Sequence, residues 1–365
     1  MISQRKDDHV RLARTQRESS DMANEFDDVR FVHHALAGID RSDLDLTVRV
    51  AGMRWNSPLF INAMTGGSEH TGNINRQLAI AARQTGLAMA TGSMSAFLRD
   101  PDTADTYRVV RDENPDGIIL ANINADTSVA DARRAVHLLR ADALQIHLNA
   151  VQETVMPEGD RSFGAWAANI GRIVAGVDVP VIVKEVGFGL SRETVAALRD
   201  LGVAAADVAG RGGTNFALIE NGRRRAGDYG FLADWGQSAP ACLLDALSLE
   251  VPLIASGGVR HPLDVARALA LGASAVGVSG AVLDILLTKG LDALIAEIHC
   301  WLDQLAGIMV MLGASTPPEL ADRDLVITGE LASFCAARGI RIDQLAARRA
   351  RRAAKIAVRR TPSLQ

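Results

Sequence analysis

The sequence predicts an α/β chain that closes into a (β/α)8 TIM barrel, with an N-terminal extension before it and a C-terminal helical segment after it. Three observations carry that expectation. From Pro58 onward, apolar runs of strand length alternate with longer stretches of helical periodicity, the pattern of repeated βαβ units. The apolar runs are nearly continuous, which suits parallel strands covered on both faces. The residues that follow each run are small, polar or charged, as they are at the barrel face whose loops carry chemistry.

In chain order, residues 1–55 read as a polar, irregular extension with a hydrophobic segment at 31–39 and an alternating stretch at 44–50 suited to an edge hairpin. Arg5, Lys6 and His9 bring two fixed cations and an imidazole together, a chemically suitable clamp for a phosphate. A solvated charged terminus is the competing reading. Strands are expected at 58–63, 87–90, 117–121, 143–148, 180–183, 203–209, 252–255 and 274–278. Helical patterns lie between them at 73–85, 128–139, 163–175, 191–201, 239–248 and 262–271, with the third and eighth connections least defined. The barrel is expected over 56–312 and a helical segment with a basic tail over 313–365. An open doubly wound sheet would use the same alternation, but no G-x-G-x-x-G follows a strand to mark its nucleotide crevice.

Composition excludes several classes. A net charge of −4 argues against a nonspecific nucleic-acid binder. Cys242, Cys300 and Cys335 are far apart and in no CxxC spacing, so neither a disulfide framework nor a zinc site is expected. No apolar run approaches a membrane span and the N-terminus lacks the apolar core of a signal peptide, so a cytoplasmic protein is expected.

The strand ends hold the functional signal. In turn they supply Met64, Thr65, Gly66 and Gly67; Thr91, Gly92, Ser93 and Ser95; Asn122 and Asn124; then the stretch DALQIHLNAVQE at 142–153. There His147, Asn149, Gln152 and Glu153 converge where a buried strand ends, a suitable site for a metal and an anionic ligand. A helix cap plus a satisfied core histidine is the plainer reading of that stretch alone. The second half supplies Lys184 and Glu185, then GRGGTN at 210–215, then Ser256, Gly257, Gly258 and Arg260, then Gly280 and Ala281. Gly-rich turns after the last two strands are where barrels often cradle a phosphate with backbone N–H groups, although glycine also simply makes tight turns. Lys184 ends an apolar strand, so its ammonium would need an anionic partner in the barrel mouth. A flavin meets these demands, with Asn122, Ser93 and Thr65 on its polar edge; a salt bridge from Lys184 to Glu185 or another carboxylate is the alternative.

At this point a family resemblance is visible. RKDDH, AMTGG, TGS, HLNAVQE, KEVGFG, GRGGTNF, the WG of LADWGQS, SGGVR and GVSGA occur in the order seen in type 2 isopentenyl-diphosphate isomerases. The chain resembles that family from about residue 5 to 340, and RKxxH, HLNxxQE and KEVGFG together are specific to it. GGTN and SGGVR are shared with FMN barrels more widely. The resemblance implies an FMN- and Mg²⁺-dependent barrel that interconverts isopentenyl and dimethylallyl diphosphate, with NADPH serving only to reduce FMN. It implies that Arg5, Lys6 and His9 grip the diphosphate, with Ser93, Ser95, Arg99, His147 and Asn149 completing the pocket. Gln152 would contact the reacting portion, with Lys184 and His147 beside it in catalytic positions, and Glu153 would hold Mg²⁺. Flavin contacts would come from Ala63, Met64, Thr65, Ser93, Asn122, Lys184 and Thr214, and its phosphate would rest on Gly257, Gly258, Arg260, Gly280 and Ala281. One departure is visible: Met94 stands where many members carry Gln.

The implied chemistry needs a strong, well-placed acid, because alkenes are weak bases. No carboxylate pair in these motifs supplies both proton addition and removal, which leaves the reduced flavin, through N5, as the resemblance implies. Two rivals remain. An FMN-dependent 2-hydroxy-acid oxidase would need a His base where this chain has Arg211, and a barrel dehydrogenase of nucleotides would need a loop cysteine. A noncatalytic flavin-binding module would not require RKDDH, Gln152 and Glu153 together. Residues 221–237 read as a lid, a subunit contact or a solvated loop, and the basic run at 348–360 as a solvated face. The resemblance also implies a homo-oligomer, a tetramer or larger.

Overall fold

The chain's computed structural model describes residues 9–16 and 24–351. Arg5 and Lys6 lie outside them, as do Arg352, Lys355, Arg359 and Arg360 of the basic tail. Residues 9–16 are helical. Three short strands come next: β1 (Val29–Phe31), β2 (Val48–Val50) and β3 (Met53–Trp55). The eight that follow are β4 (Leu59–Ile61), β5 (Ala88–Ala90), β6 (Ile119–Asn124), β7 (Ala143–His147), β8 (Val181–Lys184), β9 (Ala205–Asp207), β10 (Leu253–Ser256) and β11 (Ala273–Val278). They are parallel and close as a barrel in the order β10-β11-β4-β5-β6-β7-β8-β9. Every strand expected from the sequence is present. Pro58, Pro180 and Pro252 fall just outside β4, β8 and β10, because proline has no N–H to give the ladder.

Of the stretch at 44–50, residues 48–50 do form a hairpin, but as a two-stranded sheet of their own and not at the edge of a larger one. β2 pairs antiparallel with β3, Val48 opposite Trp55, and the pair packs into the N-terminal end of the barrel. Val48, Val50 and Trp55 meet one or more residues from every barrel strand: Phe60, Ala88, Leu120, Ala143, Ile182, Ala205, Ile254 and Ala275. Alanine at four of these eight positions leaves room for Trp55, whose ring meets Phe60 edge-on at 5.2 Å. The barrel is therefore filled from below.

The helices expected from periodicity are found, with Glu69–Thr85 beginning earlier because Ser68 and Thr71 form a capping box. The β5–β6 connection, for which no helix was expected, holds Ser95–Arg99 and Asp105–Glu113. The eighth connection is Gly280–Lys289 followed by Leu291–Leu312. Leu291–Leu312 has the length and composition to cross a membrane, contrary to the expectation that no run approaches a span. It packs on helices Glu69–Thr85, Pro262–Ala270 and Gly280–Lys289 through Leu294, Ile298, Leu305 and Met309. The segment after it is not wholly helical: β12 (Leu325–Ile327) pairs antiparallel with β1, joining the two ends of the chain. The tail is not wholly solvated either, since Arg348 donates to the carbonyl of Ala270 (2.7 Å) and burial lowers its pKa to about 10.

Candidate active site

All eight strands point their C-terminal ends into one cavity of about 1340 Å³. Among the described residues, every one given a site role by the resemblance lines it: His9, Ala63, Met64, Thr65, Ser93, Ser95, Arg99, Asn122, His147, Asn149, Gln152, Glu153, Lys184, Thr214, Gly257, Gly258, Arg260, Gly280 and Ala281; of the other strand-end residues, Gly66, Gly67, Thr91 and Glu185 lie outside its lining. Met94 does not. It is fully buried, its amide bonded to the carbonyl of Asn122 (2.8 Å), so an apolar side chain there turns into the core and leaves the flanking serines in place.

The cavity floor is a chain of buried amides running from a carboxylate to an imidazole. Asn62 donates to Asp207 (2.7 Å), Gln145 to Asn62 (3.1 Å), Asn122 to Gln145 (3.0 Å), and His147 Nδ1 lies 2.9 Å from Asn122 Oδ1. Direction is imposed from the Asp207 end. A carboxylate accepts, so each amide along the row must present its oxygen to the next, and the last oxygen requires a proton on His147 Nδ1. Asp207 also accepts from Ser256 (2.7 Å) and from the amide of Ala209 (3.2 Å).

Beside that row, Lys184 is opposite Asp207 in the β8–β9 ladder and opposite His147 in the β7–β8 ladder. Burial lowers the Lys184 pKa, opposed by the charges of Asp207 and Glu185; burial raises that of Asp207, opposed by Lys184. The salt bridge to Glu185 considered from the sequence is not made. Lys184 donates to the backbone carbonyl of Glu185 (2.6 Å), and the Glu185 carboxylate accepts from the amides of Val186, Gly187 and Phe188 (2.5, 2.7 and 2.6 Å). Burial nevertheless raises Glu185 to about 7.

On the far side stands a carboxylate that periodicity did not mark. Glu220, in helix Phe216–Asn221, has no exposed surface. It accepts from Gln152 (2.9 Å), pairs with Arg223 and lies 2.9 Å from His9 Nε2. The His9 contact is one of distance, since Nε2 has no partner in hydrogen-bonding geometry. Burial pushes Glu220 upward, but His9, Gln152 and Arg223 outweigh it and hold its pKa below the ordinary value. Glu153 accepts from Asn149 (3.0 Å) and the amide of Asp160 (2.9 Å). Among the described residues no group of three or more His, Cys, Asp or Glu is placed to hold a metal.

Opposite these side chains are the glycine turns. Gly257 and Gly258 have φ of 87° and 74°, a region that L side chains rarely adopt. The turn after β9 lies directly against them: a Cβ on Gly257 would stand 1.9 Å from Gly210 O. Gly280 and Ala281 open a ten-residue helix at the cavity wall. The Arg260 guanidinium is committed elsewhere, to Asp27 (2.6 and 2.8 Å) and Asp264 (2.9 Å). Arg211 faces away from the cavity and binds Glu25 (3.1 Å) and the carbonyl of Asp234 (3.2 Å). Ser93 and Ser95 share a hydrogen bond (2.8 Å), and Arg99 is an exposed cation at the rim.

The FMN-dependent dehydrogenase family matches residues 106–327. A mandelate oxidase structure superimposes with a TM-score of 0.60, covering 88% of this chain and 90% of that one at 16% identity, a likeness of fold alone. Relatives named isopentenyl-diphosphate delta-isomerase are much nearer in sequence. The one from Kitasatospora griseola is 64% identical over 95% of both chains, and the one from Streptomyces sp. (strain CL190) is 62% identical over the same shares. With the expected motifs gathered around one cavity, the chain belongs to the isopentenyl-diphosphate delta-isomerase family.

Proposed function

We propose that the barrel mouth binds FMN and an isoprenyl diphosphate side by side and interconverts isopentenyl and dimethylallyl diphosphate. The observation that carries this reading is the single cavity in which the glycine turns after β10 and β11 face Lys184, His147 and Gln152. The residues fit a flavin on their own chemistry. Thr65 Oγ1 is buried without a hydrogen-bond partner, Lys184 is a buried ammonium with only a backbone acceptor, and the glycine turns permit close approach of a phosphate to backbone N–H groups.

When bound, reduced FMN supplies the proton donor and acceptor for the allylic shift. The chain's residues do the rest. Lys184 favours negative charge in the site and would be stabilised by it, offsetting its burial. The amide row holds His147 with its proton on Nδ1. Glu220 fixes the Gln152 amide by accepting from it, which orients the Gln152 oxygen. Arg99, Ser93, Ser95 and His9 would meet the diphosphate, together with Arg5 and Lys6. Glu153 would share Mg²⁺ with that diphosphate, as magnesium usually does when protein ligands are few. FMN phosphate would be met by the backbone of the glycine turns, the Arg260 side chain being occupied by Asp27 and Asp264. NADPH would serve as the reductant of FMN. A homo-oligomer is proposed as the assembly, with exposed Leu36, Met311, Phe231 and Trp235 as apolar surface for it.

An oxidase of 2-hydroxy acids is disfavoured by Arg211, which is a permanent cation outside the cavity where that chemistry needs a base. The deciding test is anaerobic turnover of isopentenyl diphosphate in D₂O with Mg²⁺ and a trace of NADPH, followed by NMR. Deuterated dimethylallyl product with NADPH use far below turnover is expected. One NADPH oxidised per product would overturn the proposal.

A further inference from the structure

The segment just before β1 reaches over the barrel mouth and grips the turn assigned to the flavin phosphate. Asn24 caps the short helix Glu25–Asp28 by accepting from the amide of Phe26 (3.0 Å) with its Oδ1. Its other atom, Nδ2, donates to the carbonyl of Gly258 (2.7 Å). Three residues on, Asp27 accepts both terminal nitrogens of Arg260, and the hydrogen bond and charge of Arg260 hold its carboxyl below the usual range. Glu25 meanwhile accepts from Ser238 (2.6 Å) and Arg211. Residues 24–28 are thus fastened to the turns after both β9 and β10.

We infer that Asn24 is a positioning residue for the phosphate cradle, and that docking of the N-terminal segment and binding of the flavin phosphate are coupled through it. In a trans peptide the carbonyl and the N–H point in opposite directions. Asn24 holds the Gly258 carbonyl on its own side, so the N–H of Val259 faces the other way; Asn24, Gly258 and Val259 all line the cavity. Glycine at 257 and 258 makes this backbone free to rotate, so an external hydrogen bond is needed to keep the donor aimed. Residues 9–16 are held on the β9 side by Gln16 accepting from the amide of Asn215 (2.8 Å) and by His9 beside Glu220. A phosphate that stabilises the cradle therefore stabilises the docked segment, and by linkage the reverse holds to the same degree.

This rests on the flavin proposal, and the test separates the two. FMN and riboflavin differ in the phosphate, so their affinities are measured by flavin fluorescence on wild type, Asn24→Ala and Asn24→Asp. The aspartate keeps the cap acceptor for Phe26 but has no N–H for Gly258, which guards against simple loss of fold. Both variants should bind FMN about tenfold more weakly, the worth of one aimed hydrogen bond to a charged group, with riboflavin affinity unchanged. In hydrogen exchange on wild type, FMN should protect residues 9–16 and 24–28 more than riboflavin does, and the variants should lose that difference. Unchanged FMN affinity, equal losses for both flavins, or equal protection by both would overturn the inference. Wild type that binds neither flavin would instead overturn the flavin reading.

Discussion

Adding one methyl group at Gly257 and at Gly258 should give very different results, although the two are adjacent in one turn and have similar positive φ. Both substitutions carry the backbone cost of placing an L residue in the left-handed region, about 1–2 kcal/mol. They part on what the new Cβ meets. At Gly258 the nearest atoms are Asn24 Nδ2 at 3.2 Å and Gly212 C at 3.3 Å, contacts that a shift of a few tenths of an ångström relieves. At Gly257 the nearest atom is the carbonyl oxygen of Gly210 at 1.9 Å, which is backbone and is fixed in the ladder because Gly210 N donates to Ser256 O (2.9 Å). Relief there requires the turns after β9 and β10 to separate by more than 1 Å, on the order of the 1–3 kcal/mol of an overpacked core beyond the backbone cost. Gly258→Ala should therefore lower stability by about 1–2 kcal/mol, and Gly257→Ala by about 3 kcal/mol or more with FMN affinity lost. Denaturant melts and flavin titration give both numbers. Equal destabilisation by the two variants would refute the reasoning, because it would mean that the two turns are not in contact as described.

Three further outcomes follow from the site. Glu185 is raised from 4.5 to about 7 by burial, so the folded state binds its proton more tightly than the unfolded chain, and the associated stability is present below about 4.5 and lost as pH rises through about 7. The full difference is about 3 kcal/mol; Glu185→Gln should flatten the pH–stability curve in that window, and a variant curve parallel to wild type would contradict the assignment. Glu153→Gln should keep its flavin but lose on the order of 100-fold or more in Mg²⁺-dependent turnover, whereas full activity with an unchanged Mg²⁺ requirement would place the ion elsewhere. Gln152→Ala removes one of the donors to Glu220 and should slow turnover by at least about tenfold with FMN affinity unchanged, checked by single-turnover kinetics on reduced enzyme; wild-type rates would exclude Gln152 from the reaction.

The strands were legible because each is an apolar run ended by a change of chemistry, and the strand-end rule then located the cavity residues one strand at a time. Periodicity missed the helices of the second and eighth connections, Asp105–Glu113, Gly280–Lys289 and Leu291–Leu312, and it could not supply elements too short to show a period. Ala150–Val155 and Phe216–Asn221 have six residues each, under two helical turns. Glu220 was missed with the second of these. Asn62, Gln145 and Asp207 were missed for another reason: each sits within or at the edge of an apolar run, so an apolar average absorbs it. A single polar residue interrupting such a run, as Gln145 does in β7 and Asp207 does in β9, was the available signal. The hairpin's place against the barrel was not legible because alternation fixes which face of a strand is apolar and not which surface that face will meet.

The buried row from Asp207 to His147 shows why those interruptions are tolerated. Three carboxamides in a barrel interior would be costly if any of them lacked a partner. Each amide has one oxygen and one NH₂, so a line of them is satisfied only if all point the same way, and a fixed acceptor at one end is enough to align the set. Asp207 is that acceptor. It also sits beside Lys184, so a single carboxylate serves as counter-charge to the buried ammonium and as the origin of the polarity that reaches His147. The two roles reinforce one another. Burial raises the Asp207 pKa, which the Lys184 charge and the hydrogen bonds from Ser256 and Asn62 oppose, and only as an ionised, pure acceptor does it force a unique orientation on the row. The tautomer of an imidazole at one side of the cavity is thereby tied to the charge state of a carboxylate at the other, through side chains that each look, in sequence, like a lone polar residue in an apolar strand.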